Sequence, residues 1–206
     1  DLAKQCGTRL HVLHVSTAEE MELFSAADLQ QKQITAEVCV HHLWFTDDDY
    51  AQKQSFIKCN PAIKSLADRE ALRTALQQGK IDVVATDHAP HTLDEKCCPY
   101  TKSASGMPLV QHSLLVMLEL YKQGVVSLPL VAKTMCHNPA ILFAIKERGF
   151  VRKGYFADLA IVDLQKTTEI TKDQILYKCG WSPLEGTIFS SKVEKTFLNG
   201  TCVYAD

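Results

Sequence analysis

Apolar residues along this chain fall into short β-branched runs separated by stretches of helical spacing. The runs are Arg9-Leu10-His11-Val12-Leu13-His14-Val15, Ile34 to Val40, and Ile81-Asp82-Val83-Val84-Ala85, and each reads as a buried strand of parallel-sheet character. After the first, Thr17 and Glu20 stand in capping-box register before Met21, Leu23, Phe24 and Ala27, which predicts a helix. The second run ends in His41-His42-Leu43. Beyond it, Thr46 and the acids Asp47, Asp48 and Asp49 cap and charge the start of a short helix. Phe56 to Pro61 is a short extended stretch. Ser65 to Asp68 then opens a helix carrying Leu66, Ala67, Ala71, Leu72, Ala75 and Leu76, closed by Gly79. The third run is followed by Thr92 to Pro108, which has no periodicity and reads as a loop. Unstructured loops of that length inside compact domains are usually functional. Leu109 to Gln123, Leu128 to Cys136 and Pro139 to Lys146 are expected as helices.

From Gly149 the rhythm shortens to β-runs and turns: Ala157 to Asp163, Val193 to Leu198, and Thr201 to Tyr204. Asn199-Gly200 between the last two is a type I′ hairpin signal. Strand, loop and helix in succession, with ionisable residues at the strand ends, is the pattern of a (β/α)8 barrel. A complete barrel takes about 250 residues, and three strands cannot close one. The expected fold class is therefore α/β: the C-terminal part of a (β/α)8 TIM-type barrel, about its last three β/α units, over residues 1–148. A small all-β segment over residues 149–206 follows it. The alternative is a different open sheet.

Composition narrows the class. The 206 residues are 46% hydrophobic with a formal net charge of −2, so neither a nucleic-acid surface nor a disordered tail is expected. No run approaches the roughly 18–20 apolar residues of a membrane helix, and no secretory signal is visible. Asp1 to Gly7 reads as the end of a helix and its glycine cap, as in a chain that starts in the middle of a longer protein. The eight cysteines do not suggest a small stapled domain. Cys39 and Cys59 read as small hydrophobes, and Cys97-Cys98 lacks the C-x-x-C spacing of a zinc ribbon. All eight are expected reduced, in a cytoplasmic protein.

The chemistry concentrates where the third strand ends, in Thr86-Asp87-His88-Ala89-Pro90-His91. Asp87 can bind a metal or move a proton, and His88 and His91 can bind a metal or an anion. His14 ends the first strand and is a candidate ligand. His11 falls on the opposite face by strand alternation and reads as structural.

These motifs together resemble a known family. Thr86 to Thr92, Leu10 to Ser16, Ala36-Glu37-Val38 with His41-His42-Leu43, and Cys59-Asn60-Pro61 are similar to dihydroorotases of the amidohydrolase superfamily, the class related to the dihydroorotase domain of multifunctional pyrimidine-synthesis proteins. Gly154 to Ala160 and Ser182 to Gly186 resemble the superfamily's C-terminal β segment. The resemblance covers essentially the whole chain in order. It implies one or two zinc ions at the barrel mouth, with His14 and Asp87 as ligands and the remaining ligands outside this chain. It also implies reversible hydrolysis of the cyclic amide of L-dihydroorotate to N-carbamoyl-L-aspartate in pyrimidine biosynthesis.

By the same resemblance Asp87 is the proton shuttle. Asn60 and His91 hold the substrate, and Ser105 and Gly106 approach its ring through backbone groups. His41 and His42 are expected in structural or supporting positions, and His88 beside the site. Implied partners are the small-molecule substrate, the N-terminal half of the same protein and a second copy in a homodimer, with no nucleic acid and no membrane. The chain alone is expected to be inactive. Val40 stands where the family usually has a proline, and Gln111-His112 replaces a common Glu-Thr. A sister hydantoinase, dihydropyrimidinase or allantoinase is the alternative, and a non-catalytic scaffold paralogue is a third reading.

Overall fold

The computed structural model describes residues 1–205, which divide into two compact units interleaved in sequence. One holds Asp1–Ser113 with Ile170–Gly186, and the other Leu114–Glu169 with Thr187–Asp206.

The first unit opens with helix α1 (Leu2–Cys6), ended by Gly7 in the left-handed conformation. Its centre is a three-stranded parallel sheet of β1 (Leu10–Val12), β2 (Ile34–Cys39) and β3 (Val83–Ala85), in that spatial order. β1 pairs with the first half of β2, Leu10 opposite Ile34, and β3 with its second half, Glu37 opposite Val83. β2 is covered on both faces, as expected of a parallel strand flanked by helices. β1 and β3 are shorter than their apolar runs. Beyond each, a backbone bond still reaches β2's neighbourhood: Val15 N–H donates to the Glu37 carbonyl (2.9 Å), and Asp82 N–H to that of Ala36 (2.9 Å).

Several connections depart from expectation. After β1 there is no α-helix but a single 3-10 turn over Glu19–Leu23. The capping box forms, with Glu20 Oε2 accepting from the Ser16 and Thr17 amides (2.8 Å each). However, the buried pair is Met21 and Phe24, three apart, while Leu23 is exposed. A three-residue spacing suits a 3-10 turn. The paired histidines lie in a short helix, α2 (Val40–Trp44), directly after β2. Thr46 and Asp49 form a capping box that starts a 3-10 turn leading into α3 (Tyr50–Lys53). Phe56–Ile57 close another 3-10 turn instead of an extended stretch.

Helix α4 (Leu66–Gln77) matches its prediction, with Ser65 and Asp68 as reciprocal caps. It buries Leu72, Ala75 and Leu76 in a core with Val38, Ile57, Ile81 and Met107. The loop after β3 contains a one-turn helix, α5 (Leu93–Lys96), capped by Thr92 and Glu95. One buried ion pair ties this unit: Lys32 Nζ lies 2.8 Å from Asp82, with both side chains nearly inaccessible.

In the second unit, α6 (Ser113–Lys122) is followed by one helical stretch: α7 (Leu128–Ala132), a π turn over Lys133–His137, and α8 (Asn138–Leu142). Two helices were expected there; Thr134 Oγ1 donating to the Leu130 carbonyl (2.8 Å) lies at the junction. β4 (Leu159–Asp163) pairs antiparallel with a later strand, and β5 (Thr168–Glu169) pairs with β6 (Ile188–Phe189). That later strand is β7 (Lys192–Leu198), joined to β8 (Thr201–Ala205) by the expected Asn199-Gly200 turn, both residues at positive φ. No described helix is long and apolar enough to cross a membrane, and none of the eight cysteines is in a disulfide.

Candidate functional site

The parallel sheet of the first unit brings its strand ends to one edge, and the candidate residues follow them. His14 lies two residues past β1 with φ 41, and Asp87 two residues past β3 with φ 45. Positive φ in a residue other than glycine is uncommon, and such strain clusters at functional sites. The two residues leave the sheet on either side of β2. They offer one nitrogen and one oxygen donor, types that zinc accepts as part of a larger set. His14 is half-buried and Asp87 exposed. Asp87's charge nevertheless helps to push the buried Cys39 and Cys59 thiols above their ordinary range, after burial itself.

The substrate-side candidates gather at the β3 exit. Gly106 packs against it so tightly that a Cβ would stand 2.4 Å from the Ala89 Cβ and 3.5 Å from His91 ring atoms, and its φ is 124. Backbone bonds fasten the approach: Ala89 N–H to the Met107 carbonyl (3.1 Å) and Gly106 N–H to the Lys58 carbonyl (2.8 Å). The second bond draws the Ser105-Gly106 turn to the segment that presents Asn60, which is exposed and joined to Pro61 by a cis peptide. His91 Nε2 donates to the Ser105 carbonyl (3.0 Å), and the Glu95 carboxylate lies 3.7 Å from its Nδ1. Both ring nitrogens are therefore engaged. An anion reaching Nδ1 would take the place of Glu95.

His88 turns away from this group: its Nδ1 accepts from the Leu109 and Val110 amides (3.1 and 3.3 Å). His11 is structural, its ring bonded to Thr35 Oγ1 (2.8 Å) and near Glu37 (3.4 Å).

Two residues absent from the sequence reading hold the loop in place. Lys96 is fully buried, and its Nζ donates to the carbonyls of Ala104 (2.8 Å), Gly106 (2.8 Å) and Lys58 (3.4 Å). Burial lowers its pKa to about 8. Trp181 Nε1 donates to the His91 carbonyl (2.7 Å), and its ring lies 5.7 Å from the Lys96 ammonium. Neither carries a local signal, because a lysine in a polar loop reads as solvated and its acceptors come from separate segments. The end of β2 carries a further set: Cys39, His41 and His42 are all buried, with ligand atoms within 4.8 Å of one another.

With this geometry in hand, the chain's class is plain: residues 5–203 match the model of the amidohydrolase family, and the chain belongs to it. Among curated relatives, it is 36% identical over all of its length to the dihydroorotase of Sulfurihydrogenibium sp., covering 48% of that protein. It is 34% identical to the dihydroorotase of Halobacterium salinarum, over 99% of this chain and 47% of the relative. The chain thus spans about half the length of the relatives it matches. Among solved structures, L-hydantoinase (dihydropyrimidinase) from Arthrobacter aurescens superposes with a TM-score of 0.90 at 29% identity, over 99% of this chain and 46% of that one. D-hydantoinase from Thermus sp., at 21% identity and a TM-score of 0.87, shares the fold.

Proposed function

We propose that this chain supplies the last part of a dihydroorotase site. The observation that carries the proposal is the group at the β3 exit, with Asp87 strained at the strand end and the His91–Ser105–Gly106 turn fastened beside it. On this reading residues 1–148 are the last β/α units of a TIM-type barrel and residues 149–206 a small β segment. That boundary follows family architecture rather than compactness. An N-terminal half of the same protein completes the barrel and contributes the other ligands. The eight free cysteines suit a reducing, cytoplasmic setting, and a homodimer is the family expectation.

His14 and Asp87 would hold zinc, which when bound supplies an electrophile for the ring carbonyl and an acidified water. Asp87 accepts the proton of the attacking water on a carboxylate oxygen and delivers it to the leaving ring nitrogen, the bond that opens the cyclic amide. His91 faces the carboxylate of dihydroorotate once Glu95 yields its Nδ1, and donates to it when the ring carries both protons. Backbone groups of Ser105 and Gly106 approach the ring edge, and Asn60 bounds the pocket from the neighbouring segment. Lys96 and Trp181 keep that edge fixed without touching the substrate.

A hydantoinase-type activity is the second reading, favoured by the likeness to the Arthrobacter L-hydantoinase structure. Turnover of dihydroorotate, dihydrouracil and allantoin by the intact protein separates the two. Dihydroorotate should be preferred, and Asp87→Asn should lower kcat by roughly a hundredfold or more. Faster turnover of dihydrouracil would hand the site to the second reading. A zinc-free, inactive intact protein would leave the scaffold reading.

A further inference from the structure

The three-residue group at the end of β2 belongs to none of these roles. Cys39 is the last residue of β2, and His41 and His42 lie in the first turn of α2. Their relative exposures are 0, 2 and 3%. Both ring nitrogens of His41 and the Nδ1 of His42 have no hydrogen-bond partner and no accessible surface. An imidazole so placed is costly, at about 1–3 kcal/mol for each unsatisfied buried group, and such groups in a folded protein call for a physical reason. Another polypeptide segment cannot supply the missing partners without opening the core, since the atoms present no surface to it. A small ion inserted among them can.

We propose that Cys39, His41 and His42 form a buried site for one thiophilic d10 cation, Zn(II) or Cu(I), distinct from the His14 and Asp87 pair. Three features support it. His42 Nε2 donates to the Pro61 carbonyl (2.9 Å), which fixes its tautomer and leaves the Nδ1 lone pair free. That is the arrangement usual for a metal-bound histidine, whose second nitrogen is held by a carbonyl or carboxylate. The two rings are tilted by 48° with centroids 4.3 Å apart, so they converge without stacking. One ligand atom from each of the three residues lies within 4.8 Å of the other two, close enough for a single ion to reach all of them.

The donor set selects the metal. One sulfur and two imidazole nitrogens suit borderline-soft and soft ions, and disfavour magnesium or calcium. Binding replaces the Cys39 thiol proton, which leaves to solvent, with a metal–sulfur bond. A Cu(I) thiolate with two neutral imidazoles is uncharged. Zn(II) leaves one positive charge. In both cases the ion takes two of the three nitrogens that the fold otherwise strands, His42 Nδ1 and one nitrogen of His41.

The test uses the whole chain, stripped of metal and kept reduced. Zinc K-edge absorption after addition of one equivalent should show one sulfur near 2.3 Å and nitrogens near 2.0–2.1 Å. Cobalt(II) should give a thiolate charge-transfer band in the wild type and in His14→Ala. The band should be absent in Cys39→Ser, and His41→Ala should bind at least about tenfold more weakly. A competition titration of Cu(I) against a chromophoric chelator, run on the same variants, decides which ion binds more tightly. The absorption measurement needs no variant, so a misfolded Cys39→Ser does not remove the test. A zinc shell without sulfur, or a cobalt thiolate band that survives Cys39→Ser, combined with no Cys39-dependent Cu(I) binding, overturns the proposal. None of these readouts depends on dihydroorotase activity, so they separate this site from the proposed function.

Discussion

Gly106→Ala is the most direct perturbation of the candidate site, and its cost can be worked from two separate terms. Carbon atoms in contact sit about 3.5–4.0 Å apart, whereas the new methyl would meet the Ala89 Cβ at 2.4 Å. The turn must retreat by about 1 Å or push the β3 exit outward, and overpacking of this kind costs about 1–3 kcal/mol. The φ of 124 adds the strain of a region that side chains avoid, about 1–3 kcal/mol. Gly79 provides the control in the same unit: its φ is 75 and nothing lies within 4 Å of a built Cβ. Gly79→Ala therefore costs only the left-handed term, about 1–2 kcal/mol.

Urea unfolding should place Gly106→Ala about 4 kcal/mol below the wild type and at least about 2 kcal/mol below Gly79→Ala. At about 2–4 °C per kcal/mol for a chain of this size, melting should fall by roughly 8–16 °C. Hydrogen exchange should show where the loss arises. The amides of Ala89 and of residue 106, which bond to the Met107 and Lys58 carbonyls, should lose protection first. If the two glycine variants lose equal stability within about 0.5 kcal/mol, the close approach to Ala89 contributes nothing and the fastened-turn reading fails.

Further perturbations test other parts of the first unit. Asp82→Asn leaves the Lys32 ammonium buried without its carboxylate, so the urea midpoint should shift by the equivalent of about 3–5 kcal/mol; a loss under about 1 kcal/mol would show that the Gly79 and Lys80 carbonyls, to which Lys32 Nζ also donates (2.6 and 3.2 Å), suffice. His112 is buried against Ser182 Oγ, and burial lowers its pKa from 6.5 to about 4. The unfolded chain therefore binds a proton that the folded one refuses. Stability present above pH 6.5 is lost as pH falls toward 4, by up to about 3 kcal/mol, and His112→Gln should flatten that slope in acid titrations of the melting temperature. Glu95→Gln keeps the Thr92 cap but removes the anion beside His91 Nδ1. The intact protein should then show a KM for dihydroorotate lowered by up to about fivefold with kcat unchanged; an unchanged KM would show that Glu95 does not compete with the substrate.

Those residues also mark where the sequence was legible. The parallel strands, α4 with its Ser65 and Asp68 caps, and the Asn199-Gly200 hairpin could be read because each depends on spacing within a few residues. The turn after β1 could not: Thr17 and Glu20 do form their capping box, but Phe24 is buried three residues after Met21, and packing decided in favour of 3-10 geometry. The same division runs through the site. His14, Asp87, His91 and Gly106 stand out as candidates by motif. Lys96 was not, since three carbonyls from segments as far apart as Lys58 and Gly106 turn a loop lysine into an interior one. His41 and His42 were visible as a pair, but their orphaned nitrogens exist only once β2 and α2 have closed around them.

The strained positions connect these observations. His14 and Asp87 both adopt positive φ at the ends of β1 and β3, and a residue is held in such a conformation only when its surroundings over-determine it. β2 lies between them, pairing with both neighbours up to Val12 and Ala85 and carrying the buried Cys39–His41–His42 group at its own end. A metal ion bound there would stiffen the strand that spaces the two ligands. On the proposed function, the part of the site in this chain is organised by its own sheet, and a completing N-terminal half would add ligands and closure.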